Sequence, residues 1–322
     1  MRVVVVQQHG GPEVLQAAER PAPQPGPGQL LVEVAAAGVN FMDIYSREGR
    51  PPYDRKPPFV LGSEGAGTVS AVGSEVTGIR VGDAVAWTSV PGSYAERAAV
   101  PADRVIPVPP GVEVTIAAAV MLQGCTAHYL ASSTWSVSDG DVAVVHAAAG
   151  GVGHLLTQIV RLRGGIVVAT TSGGEKAKLA RDAGAQHVAG YDDYLGVVGE
   201  VTGGAGADVV YDGVGKATFD DSLKALRRRG LMVLYGAASG PVPPLDVTRL
   251  MTGGSLYLTR PTLADYVASR DELVTRTDQL FGWIANGTLT VRIGDTYRFS
   301  DAAAAHADLA ARRTTGKLLL TP

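Results

Sequence analysis

The sequence predicts an α/β fold: a doubly wound parallel sheet, with helices on both faces, inserted into a β-rich unit. Three observations predict it. Residues 126–265 alternate apolar strand-like runs with helical patterns, the texture of a covered parallel sheet. Residues 1–125 carry short strand-like segments between Pro/Gly turns such as PAPQPGPGQ and VGSEVTGIRVGD. Residues 266–322 return to strand-like spacing, best explained if the chain rejoins the first unit and makes it discontinuous.

Composition bounds the function classes. The chain has 322 residues, enough for about two domains. Charged residues are 18%, apolar residues 46% and the net charge is −3, so nothing demands a nucleic-acid partner. The single cysteine, Cys125, excludes an internal disulfide and any cysteine-rich zinc site. The start, MRVVVVQQHGGPEVLQ, is too short an apolar run for a signal peptide or a membrane span, and the apolar stretch 115–121 is also shorter than a span. The expectation is a soluble cytoplasmic protein with no membrane partner.

In the first unit, strands are expected at Leu30–Ala36, Gly65–Val72, Ala84–Trp87, Tyr94–Val100 and Val105–Pro107, forming a partly closed antiparallel barrel. A helix begins near Val114. The second unit should hold strands at Val142–Val145, Ile166–Thr170, His187–Ala189, Asp208–Asp212, Leu231–Tyr235 and Ser255–Leu258. Helices are expected from His154 onward, over Glu175–Gly184 and over Thr218–Arg229, the last ending in a solvated Arg227-Arg228-Arg229 run. A helix over Asp271–Asn286, strand-like spacing over Leu289–Phe299, a helix over Asp301–Arg313 and a strand at Lys317–Thr321 close the chain.

The segment VAVVHAAAGGVG, Val142 to Gly153, carries the most chemistry. It reads as a buried strand, a glycine turn and the start of a helix, in the order that cradles a pyrophosphate. Gly150 and Gly151 let the backbone approach the phosphates, and Gly153 lets the helix pack closely on the strand. The helix N-terminus adds free N–H groups and a positive dipole end. Ala148 stands where the first glycine of G-x-G-x-x-G usually does.

The tip of the second strand, about 20 residues past the loop, meets the adenosine ribose in such a unit. Here it reads Thr170-Thr171-Ser172-Gly173-Gly174, followed by Glu175 and Lys176, with no acid at the strand end. Ser172 supplies a hydroxyl and Lys176 a cation for a 2′-phosphate, which favours NADP(H) over NAD(H). The alternatives are a solvated Lys176 at a helix start and Glu175 as the ribose acid.

GVNFMDIYSREG (38–49) and VLGSEGAGTVSAVGSEVTGIRVGDAVAW (60–87), with HAAAGGVGH, VVYDGVG, RRRGLMVLYGAASG and GSLYLTRPTL, run over essentially the whole chain to the closing TTGKLLLTP. Together they resemble the zinc-independent quinone oxidoreductases of the medium-chain dehydrogenase/reductase superfamily, the group that includes ζ-crystallin. The resemblance implies a Rossmann domain inserted in a GroES-like catalytic domain, an active site in the cleft between them, a homodimer, and NADPH as hydride donor to a quinone. It matches Asn40, Asp43 and Tyr45 to the nicotinamide-side cluster. It matches Gly150, Gly151, Val152, Gly153, Ser172, Lys176 and Tyr191 to phosphate and adenosine contacts, and Arg312 to a basic residue approaching the 2′-phosphate. Thr126, Gly236, Ala237, Leu258 and Arg260 lie in segments that line the cofactor in relatives.

The zinc-dependent alcohol dehydrogenases of that superfamily carry a cysteine where this chain has Asn40 and Gly-His-Glu where it has Gly62-Ser63-Glu64, so no zinc is expected. The six histidines show no ligand spacing and read as surface or packed imidazoles. A quinone takes a hydride without a metal; the protein's part is to stack the ring and donate hydrogen bonds to the developing oxyanion. Tyr45 and Asn40 are the candidate donors, and Asp43 an orienting group. On local grounds alone, without the resemblance, a plain capping role is the better reading of Asn40 and Asp43. Tyr53, in PPYDRKPP, is either a substrate wall or a loop anchor. The rival readings are an NADPH-dependent enone or enoyl reductase and, outside enzymes, a crystallin-like NADPH-holding or RNA-binding protein; pI 6.1 argues against the last.

Overall fold

The computed structural model describes residues 1–322. The chain begins with strands β1 (Arg2–Val6), β2 (Leu15–Glu19) and β3 (Gln29–Val39), then helix α1 (Phe41–Glu48) and β4 (Phe59–Val60). Strands β5 (Glu64–Val72), β6 (Ala84–Thr88), β7 (Arg97–Pro101) and β8 (Val105–Pro107) lead to α2 (Val114–Tyr129). Alternation follows: β9 (Val142–Val145), α3 (Gly151–Leu162), β10 (Ile166–Thr170), α4 (Glu175–Asp182), β11 (His187–Ala189) and α5 (Tyr194–Thr202). It continues through β12 (Ala207–Asp212), α6 (Phe219–Lys224), β13 (Leu226–Leu234), α7 (Thr248–Thr252), β14 (Tyr257–Thr259) and α8 (Leu263–Tyr266). The chain ends with α9 (Arg270–Ala285), β15 (Ile293–Arg298), α10 (Ala302–Ala310) and β16 (Lys317–Thr321). Two compact units result, Met1–Cys125 with Val267–Pro322, and Thr126–Tyr266.

In the first unit, a seven-stranded sheet has the order β15-β16-β3-β5-β6-β8 with β7 also on β3, beside a three-stranded sheet β2-β1-β4. β16 lies antiparallel on β3, Leu319 opposite Gly38, which fastens the end of the chain to the strand that leads into α1. β15 and β16 run parallel, a departure from an all-antiparallel set. Leu30, Val32, Trp87, Tyr94, Phe299 and Leu320 belong to the buried core.

The second unit is a six-stranded parallel sheet of order β11-β10-β9-β12-β13-β14. Val144 stands level with Val168 on one side and Val210 on the other, and Val210 with Met232, an apolar row across the sheet. All four are fully buried, as expected of strands covered on both faces.

Several element readings need correction. The helix expected to Arg229 stops at Lys224, and Arg227, Arg228 and Arg229 lie in β13. Leu226 pairs with Ala207, and Arg227 Nε binds Asp208 at 2.6 Å, so sheet pairing outweighs the helical charge pattern. The strand expected from Tyr94 begins at Arg97. Helix α5 and strand β2 were not expected. Helix α2 runs on through a π-helical segment, Leu130–Thr134, so that 114–134 form 21 helical residues, longer than the alanine run suggested, and 72% of the apolar window is buried, as in a core helix.

Candidate cofactor and substrate sites

Glycines decide the shape of the turn that follows β9. Ala147 takes a left-handed φ of 52° and its carbonyl accepts from Gly150 N at 2.9 Å, folding the chain back toward the helix. Gly150 caps α3 in extended conformation. At Gly153 a Cβ would lie 2.4 Å from the Ala147 carbonyl oxygen and 2.9 Å from Ala148 Cα, both backbone, so only glycine fits. The first turn of α3 leaves N–H groups without intrahelical partners at the carboxyl edge of the sheet, where such folds bind dinucleotides. The residues present fit a pyrophosphate.

Most of the other candidates of this unit follow strands that end on that edge. Ser172 is exposed in the loop after β10, and Lys176, half-buried, is the second residue of α4. Tyr191 follows β11 and lies over the His146 ring, centroids 5.9 Å apart. Gly236 and Ala237 follow β13, where a Cβ on Gly236 would meet Gly213 O at 2.5 Å. Leu258 is in β14 with Arg260 just beyond it, and Thr126, largely buried, lies in α2. Ser172, Lys176, Tyr191, Gly236, Ala237 and Arg260 all follow parallel strands that end on the same edge, whereas Thr126 lies in α2, ahead of the first strand of this sheet.

In the first unit Asn40 stands in extended conformation between β3 and α1. Asp43, at the third helical position, reaches back so that Oδ2 accepts from Asn40 N at 2.9 Å, the reciprocal arm of a capping box. The Asn40 amide turns elsewhere. Its Nδ2 donates to Glu64 Oε1 at 2.7 Å, and its Oδ1 accepts from Lys317 Nζ at 2.8 Å. Lys317 also donates to Glu64, whose other oxygen accepts from Leu122 N at 2.6 Å. Asn40, Glu64 and Lys317 are 4%, 0% and 1% exposed, so a neutral amide is fixed between a buried cation and a buried anion. Gly38 makes room, since a Cβ there would lie 2.2 Å from Glu64 Oε1.

Asp43 anchors a second chain. Tyr94 OH bonds Asp43 Oδ2 at 3.2 Å and His306 Nε2 at 3.2 Å, and Arg47 Nη1 donates to His306 Nδ1 at 3.3 Å. Arginine only donates, so His306 Nδ1 accepts, Nε2–H donates to the phenol oxygen, and the phenol proton goes to Asp43. Burial pushes the Asp43 carboxyl up to about 7, partly opposed by the Lys317 charge. Burial, helped by Arg47, pulls the His306 imidazole down to about 3. Burial also drives the Tyr94 phenol well above its usual value, so the phenol keeps its proton at neutral pH.

One turn on, Tyr45 is half-buried in an aromatic group. Its ring centroid lies 5.8 Å from Tyr53 and 6.4 Å from Phe41, with the Arg50 guanidinium 5.5 Å from its centroid. Arg312, exposed with a left-handed φ of 56°, also belongs to this unit, just before β16. The Lys317–Glu64 pair and the Tyr94–His306–Arg47 chain were not expected from sequence. A lysine opening the apolar LLLT strand was their one visible signal.

Residues 26–110 match the alcohol dehydrogenase GroES-like domain, and residues 151–269 match the family described as zinc-binding dehydrogenase. The chain is 43% identical to a quinone oxidoreductase of Pseudomonas aeruginosa, covering 98% of this chain and 97% of that protein. It is 40% identical to a 2-haloacrylate reductase from a Burkholderia species, over 99% and 98% of the two chains. The crystal structure of Escherichia coli quinone oxidoreductase complexed with NADPH superimposes with a TM-score of 0.96 at 39% identity, covering 100% of both chains.

Zinc, which the second matched family would imply, does not fit the residues present. It asks for three or four N, S or O donors in a near-tetrahedral array. Asn40 and Ser63 offer neither thiolate nor imidazole, and Glu64 already holds an ammonium group. Cys125 is fully buried, and burial pushes its thiol up to about 12, away from a ligating thiolate.

Proposed function

The chain belongs to the zinc-independent quinone oxidoreductases of the medium-chain dehydrogenase/reductase superfamily, and from that premise we propose that it reduces quinones with NADPH by direct hydride transfer. The observation that carries the reading is the turn at Gly150–Gly153, where backbone occupies the space of any side chain on Gly153. NADPH, when bound, supplies the hydride.

The chain's own residues supply binding and polarity. Gly150, Gly151, Val152 and Gly153 hold the pyrophosphate at the α3 N-terminus, and Ser172 and Lys176 hold the 2′-phosphate, with Arg312 as a further cation. Tyr191, Thr126, Gly236, Ala237, Leu258 and Arg260 line the remaining length of the cofactor. Tyr45 and Tyr53 give the quinone an aromatic wall, and the Tyr45 phenol donates to the developing oxyanion. Asn40, gripped by Glu64 and Lys317, offers a fixed amide edge, and Asp43 orients the start of α1. No metal is needed, because a quinone is electron-poor enough to accept the hydride directly.

A second reading, reduction of an activated C=C bond, is favoured by the likeness to the 2-haloacrylate reductase. Both reactions add hydride to a conjugated carbonyl system. Following NADPH oxidation at 340 nm with 1,4-benzoquinone, a naphthoquinone and 2-alkenals separates them. Faster turnover of the quinones supports the first reading and faster turnover of the alkenals the second. No oxidation with either leaves a NADPH-holding protein.

The enzyme is also proposed to be a cytoplasmic homodimer. β14 is the last strand of its sheet, and Tyr257, Met251 and Val247 beside it are 60%, 66% and 73% exposed. Light scattering of the purified protein tests this, and a monomer mass contradicts it.

A further inference from the structure

His146 is the residue between β9 and the glycine turn, and it is fully buried. Its Nε2 lies 2.9 Å from Ser222 Oγ and its Nδ1 lies 2.8 Å from Thr170 Oγ1. Asp212, also fully buried, fixes the direction of the whole chain. Its Oδ2 accepts from Ser222 Oγ at 3.0 Å and Thr218 Oγ1 at 2.7 Å, while Oδ1 takes Val214 N and Gly215 N at 2.8 and 2.9 Å. Ser222 spends its proton on Asp212, so it must accept from His146 Nε2–H. His146 Nδ1 therefore accepts, and the Thr170 hydroxyl donates to it. Burial lowers the imidazole's affinity for a second proton, consistent with this neutral tautomer.

The chain Thr170–His146–Ser222–Asp212 crosses the carboxyl ends of three adjacent strands, β10, β9 and β12. Each end opens a segment assigned to the cofactor. His146 opens the pyrophosphate turn, and Thr170 opens the Thr171–Gly174 loop that carries Ser172 and leads to Lys176. The carbonyl of Asp212 accepts from Tyr235 N at 2.9 Å and Gly236 N at 3.3 Å. Ala148 N, in the pyrophosphate turn, donates to Thr170 O at 3.1 Å, so main chain and side chain both tie the first two segments together.

We propose that His146 is a positioning residue that sets the spacing between the pyrophosphate turn and the 2′-phosphate loop through its bond to Thr170, and so contributes to the preference for the phosphorylated cofactor. The inference rests on the NADPH reading above. A merely structural His146 would lower affinity for both nicotinamide cofactors together; a positioning one moves their ratio, because only NADPH spans both segments with phosphates.

Equilibrium titration of cofactor fluorescence with NADPH and NADH tests it on the full chain. The variants are His146→Asn, His146→Leu, Thr170→Val and the Thr170→Val/His146→Leu pair. Thr170→Val keeps a β-branched residue in the strand and removes only the hydroxyl. The NADPH-to-NADH affinity ratio should fall about fivefold in Thr170→Val and in His146→Leu, the size of one buried hydrogen bond. The double variant should fall no further, since both remove the same bond. His146→Asn keeps an acceptor at the Nδ1 position and should restore the ratio. An unchanged ratio in Thr170→Val, or additive losses in the pair, overturns the inference while wild-type NADPH binding stands. Wild-type protein without NADPH affinity overturns the functional reading and this inference with it.

Discussion

Lys317 Nζ donates to Asn40 Oδ1 across 2.8 Å although the two residues stand 277 positions apart. The last strand of the chain thus delivers a buried cation to the residue that opens α1. That cation is paired with the Glu64 carboxylate, so the buried pair carries no net charge. Removing one partner of a buried ion pair strands the other.

Lys317→Met is therefore expected to destabilise the protein by about 3–5 kcal/mol, because Glu64 is left buried and charged. Adding Glu64→Gln should recover part of that loss. Chemical denaturation midpoints at constant slope measure both. Equal stabilities of wild type and Lys317→Met would contradict a charged pair.

The buried chain at Asp43 predicts two opposing pH dependences. The Asp43 carboxyl is raised from 3.8 to about 7, so its contribution is complete below about 4 and is lost as pH rises through 7. His306 is lowered from 6.5 to about 3, so its contribution is complete above 6.5 and is lost as pH falls toward 3. The two slopes oppose each other over the shared window from about pH 4 to 6.5. Asp43→Asn should tilt stability upward with pH across that window, and His306→Gln should tilt it downward. Thermal unfolding of both variants between pH 4 and 7 checks the signs; parallel curves would refute the assignment.

Lys176→Ala is expected to raise the KM for NADPH several-fold and to leave that for NADH nearly unchanged, since only the former carries a 2′-phosphate. Steady-state rates with each cofactor at a fixed quinone concentration decide it. Equal effects on both would remove the phosphate role.

Tyr45→Phe keeps the ring packed on Phe41 and Tyr53 and removes only the phenol oxygen. Turnover with a naphthoquinone should fall roughly ten- to a hundredfold, at or below the usual cost of a lost oxyanion donor. NADPH affinity should hold. An unchanged kcat would assign Tyr45 to the wall alone.

The elements that periodicity defines were legible in the sequence. β9 and β10 begin and end where their apolar runs do, because strands covered on both faces are apolar along nearly their whole length. The arginines at 227–229 were misread because a local charge pattern says nothing of the partner strand; Asp208, in β12, decides it. The glycine turn was legible because backbone sterics act over a few residues. The polar networks were not. His146 and the Ser222–Asp212 pair come from different βα units, and Asn40, Glu64 and Lys317 from chain segments that only the closing of the sheet brings side by side. Asn40 and Asp43 illustrate the difference. The capping role, visible locally, is filled by Asp43, whereas the Asn40 amide answers to residues 24 and 277 positions away.

The most direct test of a metal-free hydride transfer compares NADPH oxidation with a naphthoquinone before and after exhaustive chelation, with protein-bound zinc measured in the same samples. Turnover that survives chelation unchanged, on protein carrying far less than one zinc per chain, is the expected result. Turnover that disappears with the metal and returns when zinc is added would contradict it.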